Sequence, residues 1–484
     1  MSGFNRLIKN SVANIINGFS NVIMGIVISP LLLHKLTTTE FSVWSLALQA
    51  GALIGIIGFG LQITVGRFVS LHRSDQFQLR SVLYNSKLVS YILASMMLIL
   101  VLVINHYYSS FFTAIPVEYQ KQAKTTFLLI CISFIINNIS SIYLGYFTGI
   151  ERNDITASVN LVFKTILGVF IVFIAKYGIF AMCIVYFSIN LINQIFFFYI
   201  FNRNLGKDAT KKTMNAVVIK KIAIFYIGLL IWNIAQFLIT GIGTFTVGKF
   251  AFNELAGYVL AMTLINAVVG IIGAITSPII QPMLRLYNAG KVQNLEKLVV
   301  LLSLLYAFIV YIAYFVSSNI SGWILNLWLG HDLSVHIESS FTLLLTAFLI
   351  RMIAAPYGMM LVAFGKQLSV AYLPLLEGVI NFTLSIFFVK EYGAVGIAYA
   401  TAISGMSIMV FYAFKFYRES EIRDGLIFTS FLIIPATISV LMLVNYYFAH
   451  SLYGKYIHIS QLALSLISLI LVAILIRKIK SIVD

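Results

Sequence analysis

The stretch Thr39–Trp44 (TEFSVW), followed by Gly55–Gly58 (GIIG), returns later in the chain in a weaker form. The second copy is Asn253–Tyr258 (NELAGY), followed by Gly270–Gly273 (GIIG), about 215 residues further on. Both copies lie among long apolar runs. Weak similarity between two apolar halves is typical of membrane transporters, which place their pathway between two lobes. The repeat therefore predicts a duplicated membrane protein.

A second pair of motifs supports the same offset. Tyr146–Gly149 (YFTG) precedes an apolar helix that ends at Ala175–Gly178 (AKYG). Val362–Gly365 (VAFG) precedes another apolar helix, which ends at Lys390–Gly393 (KEYG). The two pairs divide the chain into an N-terminal six-helix lobe, a basic cytoplasmic linker, a C-terminal six-helix lobe and two additional helices. These parts are residues 1–202, 203–216, 217–416 and 417–484.

The composition excludes a water-soluble globule. Hydrophobic residues make up 60% of the chain and charged residues only 10%, with a mean hydropathy of +0.98. Soluble domains have about 25% charged residues, and a helix needs about 20 apolar residues to cross a bilayer. We predict an all-α polytopic membrane protein of about fourteen spans. They are 11–34, 41–64, 80–104, 123–148, 156–175, 179–201, 217–247, 255–282, 297–317, 340–364, 368–389, 394–415, 426–448 and 458–476.

The net charge of +16 comes from Lys and Arg residues whose distribution among the loops predicts the membrane topology. Of the 32 Lys and Arg, 23 fall in the N-terminal segment, the even-numbered loops and the C-terminal segment, against seven in odd-numbered loops. By the positive-inside rule both termini are cytoplasmic. The lobes then start at the same face and are parallel repeats. The basic excess indicates anionic membrane lipids as partners and not nucleic acid.

Motifs for catalysis are missing. The chain has no HExxH, GxxxxGK[ST], GxSxG or CxxC, so we expect no enzyme and no cofactor. His331, Asp332, His336 and Glu338 form the densest polar cluster outside the spans. We interpret it as a solvated loop and expect no metal site.

Three ionisable residues lie deep in predicted spans: Lys164 in span 5, Arg351 in span 10 and Glu377 in span 11. Such residues cost at least about 2.5–3.5 kcal/mol to insert, so they should face a cavity or a partner. Asn160 shares a helix face with Lys164, and Asn381 shares one with Glu377. One interpretation is a water-filled cavity in which Arg351 and Lys164 bind a phosphate group. The alternative is a structural Lys164–Glu377 ion pair, with Arg351 capped by backbone carbonyls, or a pair that forms in only one transport state.

Span 1 has a polar face that should line the pathway or bond to neighbouring helices. Prolines there and in span 8 predict hinges and a lateral opening between these spans, with a basic residue at its portal. The predicted lining residues, hinges and portal residue are Asn14, Asn17 and Asn21, then Pro30, Pro278 and Pro282, then Arg285. Further amides in the spans suit hydroxyl-rich sugars, and they include Asn190, Asn193 and Gln194.

The duplicated chain resembles the polysaccharide flippases of the multidrug/oligosaccharidyl-lipid/polysaccharide exporter superfamily, the O-antigen exporters in particular. The likeness rests on residues 30–60, on Gly145–Gly178 and on Leu361–Gly405. It implies transfer of undecaprenyl-pyrophosphate-linked oligosaccharide to the outer leaflet by alternating access. In related flippases basic cavity residues receive the pyrophosphate, a role that fits Arg351 and Lys164, and Glu377 is the candidate for ion coupling.

The resemblance also implies a setting, namely a multi-pass protein of the bacterial inner membrane. We expect a monomer that works with lipid-linked oligosaccharide and with polysaccharide polymerase machinery. Rival functions are a multidrug/cation antiporter of the same superfamily and a peptidoglycan-precursor flippase. From another class, a membrane polysaccharide polymerase or ligase would need a larger outer loop than the chain offers.

Overall fold

The computed structural model describes residues 25–205, 214–276, 279–364, 372–422, 425–448 and 454–483. These residues are almost wholly helical, and no strand occurs among them. Helices are what this composition demands, because a chain in lipid must satisfy its backbone hydrogen bonds internally. The predicted all-α polytopic fold is confirmed.

The chain forms two compact units, residues 1–259 and 260–484. In unit 1 the described residues begin with a helical stretch at 25–33. Helices α1 to α7 follow within this unit, and α8 begins in it. They are α1 (Thr38–Leu71), α2 (Gln76–His106), α3 (Val117–Gly149), α4 (Asn153–Ile174), α5 (Ile179–Leu205), α6 (Ala216–Thr240), α7 (Ile242–Phe250) and α8 (Leu255–Thr276).

Unit 2 takes over within α8 and is also helical throughout its described part. Its helices are α9 (Ile280–Asn288), α10 (Val292–Leu329), α11 (His331–Met352), α12 (Ala355–Ala363), α13 (Tyr372–Glu419), α14 (Ile434–Phe448) and α15 (Gly454–Val483). Helix α10 packs against α11 and α15, and α11 packs against α13.

Eleven described helices are long and apolar enough to cross a membrane. This number agrees with fourteen predicted spans for three reasons. Helix α13 covers both span 11 and span 12, since the backbone leaves helical geometry at Gly393 inside it. The shorter apolar helix at Leu426–Leu441 corresponds to span 13. Most of span 1 lies outside the described residues.

Helices α1 and α3 approach each other through glycines. A Cβ atom on Gly145 would lie 2.7 Å from the Gln62 carbonyl oxygen, and one on Gly149 would lie 2.6 Å from the Gly66 carbonyl oxygen. Gly145 and Gly149 are four residues apart and therefore on one face, the small-xxx-small pattern of close membrane helix pairs. This contact holds α3, which supplies part of the site described below.

The repeat is visible in the backbone of both units. Gly178 follows α4 and its 3₁₀ turn with a φ of 87°, and Gly393 divides α13 with a φ of 59°. Both glycines thus adopt the left-handed conformation that disfavours other residues, 215 positions apart. The two compact units meet between residues 259 and 260. The sequence repeat instead predicts a linker between the lobes at residues 203–216, so the lobe boundaries stay a prediction.

Two polar segments are helical in the structure. The stretch from Asn319 to Leu329 forms the last turns of the 38-residue helix α10. His331 begins helix α11, so the His331–Glu338 cluster lies on a helix and not in a solvated loop. Loops were expected because the segment is polar, but a polar helix end can extend beyond the membrane into water.

Candidate functional site

A polar cavity of about 190 Å³ lies among α3, α4 and α5 of unit 1. We call it the amide pocket. Six polar side chains line it, together with four apolar ones. The polar residues are Asn137, Asn160, Lys164, Asn190, Asn193 and Gln194, and the apolar ones are Leu144, Phe163, Leu167 and Ile189.

Helical spacing explains how these side chains converge. Asn160 and Lys164 are one turn apart on α4, and the amides on α5 follow the i, i+3, i+4 pattern of a single helix face. Helix α3 contributes Asn137 from the opposite wall. The three helices pack against one another in pairs, so the polar faces point into a common space.

Hydrogen bonds within the pocket fix some amide groups and leave acceptors open. The Gln194 side-chain nitrogen donates to the Asn137 side-chain oxygen. The Asn190 side chain donates to the Tyr186 carbonyl at 2.8 Å. The side-chain oxygens of Gln194 and Asn193 are buried and have no hydrogen-bond partner in the described part of the chain. An unsatisfied buried acceptor costs about 1–3 kcal/mol, so a ligand or water that donates to them would be stabilised.

The pocket lining contains one basic side chain and no acidic one. Lys164 is half-buried in the pocket wall. A Lys ammonium is a point charge with three donors on a flexible stem. Lysine and amide side chains can together bind a ligand that has both an anionic oxygen group and hydroxyls.

In unit 2 the deeply placed charges pair with each other. The guanidinium of Arg351, on α11, forms a salt bridge with the carboxylate of Glu377, on α13. The Glu377 side chain is buried, with 8% of its surface exposed, and the Arg351 side chain is mostly covered, with 15% exposed. Gly405 makes room for the arginine stem, because a Cβ atom there would lie 2.4 Å from the Arg351 Cγ. Next to the pair, the Thr401 hydroxyl donates to the Asn381 side chain at 3.4 Å.

The structure places the predicted site residues in different settings. It brings Lys164 and Asn160 together in the amide pocket, as their spacing suggested. The alternative partner considered for Glu377 was Lys164, but its partner in the structure is Arg351 of the same unit. Arg351 therefore pairs with a carboxylate, whereas the alternative interpretation of the sequence had it capped by backbone carbonyls. The sequence showed one basic and one acidic residue in spans 10 and 11. That they form a pair depends on how the two helices pack, so it was visible only in the structure.

Several predicted residues lie away from the amide pocket or outside the described residues. Arg285 is exposed in the last turn of α9. Pro30 lies in the helical stretch at 25–33, and Pro282 lies near the start of α9. Outside the described residues are Asn14, Asn17, Asn21 and Pro278.

From the sequence, Asn190, Asn193 and Gln194 of α5 were noted only as amides suited to sugars and were not assigned to a site. Their spacing was the signal that could have grouped them, because residues three and four apart face one direction. Their pairing with Asn137 of α3 depends on how two distant helices pack, so it was visible only in the structure.

Residues 7–288 match the family model described as "Polysaccharide biosynthesis protein". No curated protein matches the chain significantly.

Solved structures share the fold over nearly the whole chain. The lipid II flippase MurJ in an inward closed conformation has 15% identity and a TM-score of 0.66, covering 96% of this chain and 99% of that one. An inward-facing multidrug resistance MATE family transporter of the MOP superfamily has 16% identity and a TM-score of 0.61, covering 90% and 98%. A MOP superfamily transporter from Pyrococcus furiosus has 14% identity and a TM-score of 0.54, covering 90% and 96%. At such identities the likeness shows the fold alone.

Proposed function

Because the chain belongs to the polysaccharide biosynthesis protein family, we propose that it is a flippase for lipid-linked oligosaccharides. It would move undecaprenyl-pyrophosphate-linked repeat units from the inner to the outer leaflet by alternating access, for surface polysaccharide assembly. The proposed task needs no catalysis, since no bond in the substrate changes.

The amide pocket is the observation that supports this proposal most directly. A lipid-linked sugar has a head too polar for the bilayer core, so a protein that moves it must replace water around hydroxyl and phosphate oxygens. Amides and Lys164 supply such contacts within the membrane-spanning helices of unit 1. The absence of a carboxylate from the pocket lining favours an anionic ligand over an organic cation, and hence a flippase over a multidrug/cation antiporter.

The roles of Arg351 and Glu377 are part of the proposal. A pyrophosphate that binds Arg351 must compete with Glu377, because the guanidinium already holds that carboxylate. Protonation of Glu377 would release Arg351 for the phosphate. A proton taken up at Glu377 could in this way be coupled to headgroup binding, which makes this acid the candidate for ion coupling.

A peptidoglycan-precursor flippase is the second candidate function. It is favoured by the similarity of fold to the lipid II flippase, which extends over 96% of this chain. Both candidates need a cationic, amide-rich pocket, and they differ in the sugar they move. A polysaccharide polymerase or ligase has no comparable support.

The proposed setting follows from charge and hydropathy. We place the chain in the bacterial inner membrane, with both termini cytoplasmic, as a monomer that hands its substrate to polysaccharide polymerase machinery. Pro30, Pro278 and Pro282 are proposed bending points, and Arg285 a portal residue at the membrane surface.

The deciding experiment is the leaflet location of lipid-linked oligosaccharide in cells depleted of this protein. An impermeant sugar-modifying reagent reports which leaflet holds the lipid. We expect accumulation in the inner leaflet, reversed by the wild-type chain but not by Arg351→Ala or Lys164→Gln. Lys176→Gln is the matched control, because Lys176 is exposed and lies outside the amide pocket.

Two results would change the assignment. Unaltered outward appearance of the oligosaccharide lipid, in cells without a second flippase, would contradict the proposed function. If the peptidoglycan precursor accumulates instead, the second candidate replaces the first.

A further inference from the structure

Three oxygen-bearing side chains meet where the end of α10 packs against the start of α11. Ser321 lies in the last turns of α10, whereas Glu338 and Thr342 lie one turn apart on the same face of α11. The Ser321 hydroxyl oxygen is 3.4 Å from a carboxylate oxygen of Glu338 and 3.4 Å from the hydroxyl oxygen of Thr342. We call these three side chains the oxygen cluster.

The two hydroxyl groups of the cluster differ from their neighbours on the same helices. Ser317 and Ser318 donate to carbonyls of α10 at 3.0 Å, and Thr346 donates to a carbonyl of α11 at 2.9 Å. Ser321 and Thr342 have only the two contacts of 3.4 Å among the described residues. An ordinary O–H···O bond measures about 2.7–2.8 Å. The cluster oxygens therefore face one another without bonding tightly.

The carboxylate of the cluster is partly buried and close to the α10 backbone. A Cβ atom on Gly322 would lie 2.7 Å and 2.8 Å from the two Glu338 carboxylate oxygens, so the glycine makes room for them. None of the ion pairs formed among the described residues involves Glu338. Charges that are withdrawn from water are usually paired or bound to a metal ion. A cation from solution would compensate this carboxylate.

The spacing of the oxygens indicates the size of that cation. In an octahedral site, neighbouring ligand oxygens are separated by √2 times the distance from metal to oxygen. Ca²⁺, with oxygens at about 2.3–2.6 Å, gives separations of about 3.3–3.7 Å, and Mg²⁺, at about 2.0–2.1 Å, gives about 2.9 Å. The separations of 3.4 Å fit the larger ion, and Na⁺ has nearly the same radius as Ca²⁺.

The charge of the cluster separates these two ions. One carboxylate and two neutral hydroxyls carry a single negative charge, whereas Ca²⁺ sites gain affinity from several carboxylates. Among the described residues, no group of three or more His, Cys, Asp and Glu could hold a metal ion. A monovalent ion suits such a sparsely charged set of oxygens.

From these observations we propose that the oxygen cluster binds a sodium ion between the ends of α10 and α11. The Glu338 carboxylate and the hydroxyls of Ser321 and Thr342 are its protein ligands, and water completes the coordination. Arg351 lies 13 residues further along α11, which is about 20 Å of helix, so the site is separate from the Arg351–Glu377 pair.

The sequence gave no sign of this site. The polar His331–Glu338 segment was not expected to bind a metal, and the proposed site uses only its last residue. Ser321 belongs to a different helix, and its position opposite Glu338 depends on how α10 and α11 pack.

The test measures cation binding to the full-length protein in lipid nanodiscs. Sodium chloride replaces choline chloride at constant ionic strength, and the shift of the melting temperature gives the Kd. We expect a saturable rise with Na⁺. Mg²⁺ should bind at least about tenfold more weakly, because it demands shorter distances than the cluster offers. Potassium and calcium chlorides are titrated in the same way.

Variants assign the sodium response to the cluster. Glu338→Gln keeps the shape of the side chain but removes its charge, so it should weaken Na⁺ binding at least about tenfold. Thr342→Val removes one hydroxyl ligand at similar volume and should also weaken binding, whereas Thr342→Ser should retain it. Two matched controls should respond like the wild type. They are Glu391→Gln, an exposed acid of the same unit, and Thr346→Val, whose hydroxyl donates to its own helix.

Four results would overturn the proposal. They are no sodium-dependent rise in the wild type, an unchanged sodium Kd in Glu338→Gln or in Thr342→Val, tighter binding of calcium than of sodium, and a response lost in Glu377→Gln but kept in Glu338→Gln. Thr342→Val decides alone if Glu338→Gln does not fold. Sodium binding is measured without a transport substrate, so a negative result leaves the proposed flippase function to the leaflet experiment.

Discussion

At the scale of single residues, the Arg351–Glu377 pair is the contact with the clearest energetic consequence. Arg351 and Glu377 neutralise each other across α11 and α13. An ion pair removed from water gains little net stability, but loss of one partner leaves an uncompensated charge. The pair should therefore tolerate joint replacement far better than single replacement.

A double-mutant cycle tests this expectation. Arg351→Met should destabilise the protein by about 3–5 kcal/mol, because Glu377 is then buried without its partner. The double variant Arg351→Met/Glu377→Leu should recover most of that loss. Thermal unfolding in detergent micelles measures both.

The control for this cycle is Lys415→Met, which breaks the more exposed i, i+4 pair of Lys415 with Glu419, 3.6 Å apart. Its effect should not exceed about 1 kcal/mol. If the double variant is no more stable than Arg351→Met, the pair has no structural role. If the double variant is stable but inactive in the leaflet experiment, the charges serve transport.

At the scale of helices, a charged side chain hydrogen-bonds to the end of one helix in each unit. The side chain is a donor in unit 1 and an acceptor in unit 2. In unit 1 the Arg80 side chain donates to the Leu205 carbonyl at the end of α5, at 2.8 Å. In unit 2 the buried Glu296 accepts from the Ser420 hydroxyl at 2.8 Å and from two backbone N–H groups just beyond α13. Leu205 and Ser420 are 215 residues apart, which matches the repeat. The contact is preserved in position while its donor and acceptor are exchanged.

Glu296→Ala should loosen this end of α13. The substitution leaves the Ser420 hydroxyl and the Glu421 N–H without their acceptor, whereas the Ile422 N–H keeps the Ser420 hydroxyl oxygen. Bonds to a charged acceptor contribute about 1.5–3 kcal/mol, so we expect a loss of about 2–4 kcal/mol. Hydrogen exchange of residues 414–422 should rise.

Glu421→Gln is the matched control, since this side chain is exposed and contributes only its backbone N–H to the contact. It should leave exchange unchanged. Equal exchange in Glu296→Ala and the wild type would show that other contacts hold the end of α13.

At the scale of the whole molecule, topology is the property that the charge distribution predicts. Lys121 and Lys291 lie in segments assigned to opposite faces, the outer and the cytoplasmic one, and both are exposed. In right-side-out membrane vesicles, an impermeant maleimide should label Lys121→Cys directly and Lys291→Cys only after permeabilisation. The native Cys131 and Cys183 are buried and should give a low background. The reverse labelling pattern would invert the topology.

Most of the helices could be predicted from the sequence, because the length and hydropathy of a span are properties of a local stretch of residues. Spans 2 to 6 correspond to α1 through α5, and the repeat motif at Gly178 and Gly393 marks equivalent left-handed turns. The polar His331–Glu338 segment was wrongly expected to be a loop, because polarity excludes a span but does not exclude a helix. Asn160 and Lys164 were expected to share a helix face, and both line the amide pocket from α4, while their role in binding stays a prediction.

The sequence by itself determined that this is a duplicated, all-helical membrane protein, because the bilayer dictates span length, backbone hydrogen bonding and the cost of buried charge. Only the tertiary structure decided which polar residues meet. It paired Arg351 with Glu377 and assembled the amide pocket from α3, α4 and α5. Those choices depend on how helices rotate and pack against each other through small residues such as Gly145 and Gly405, and hydropathy does not encode that rotation.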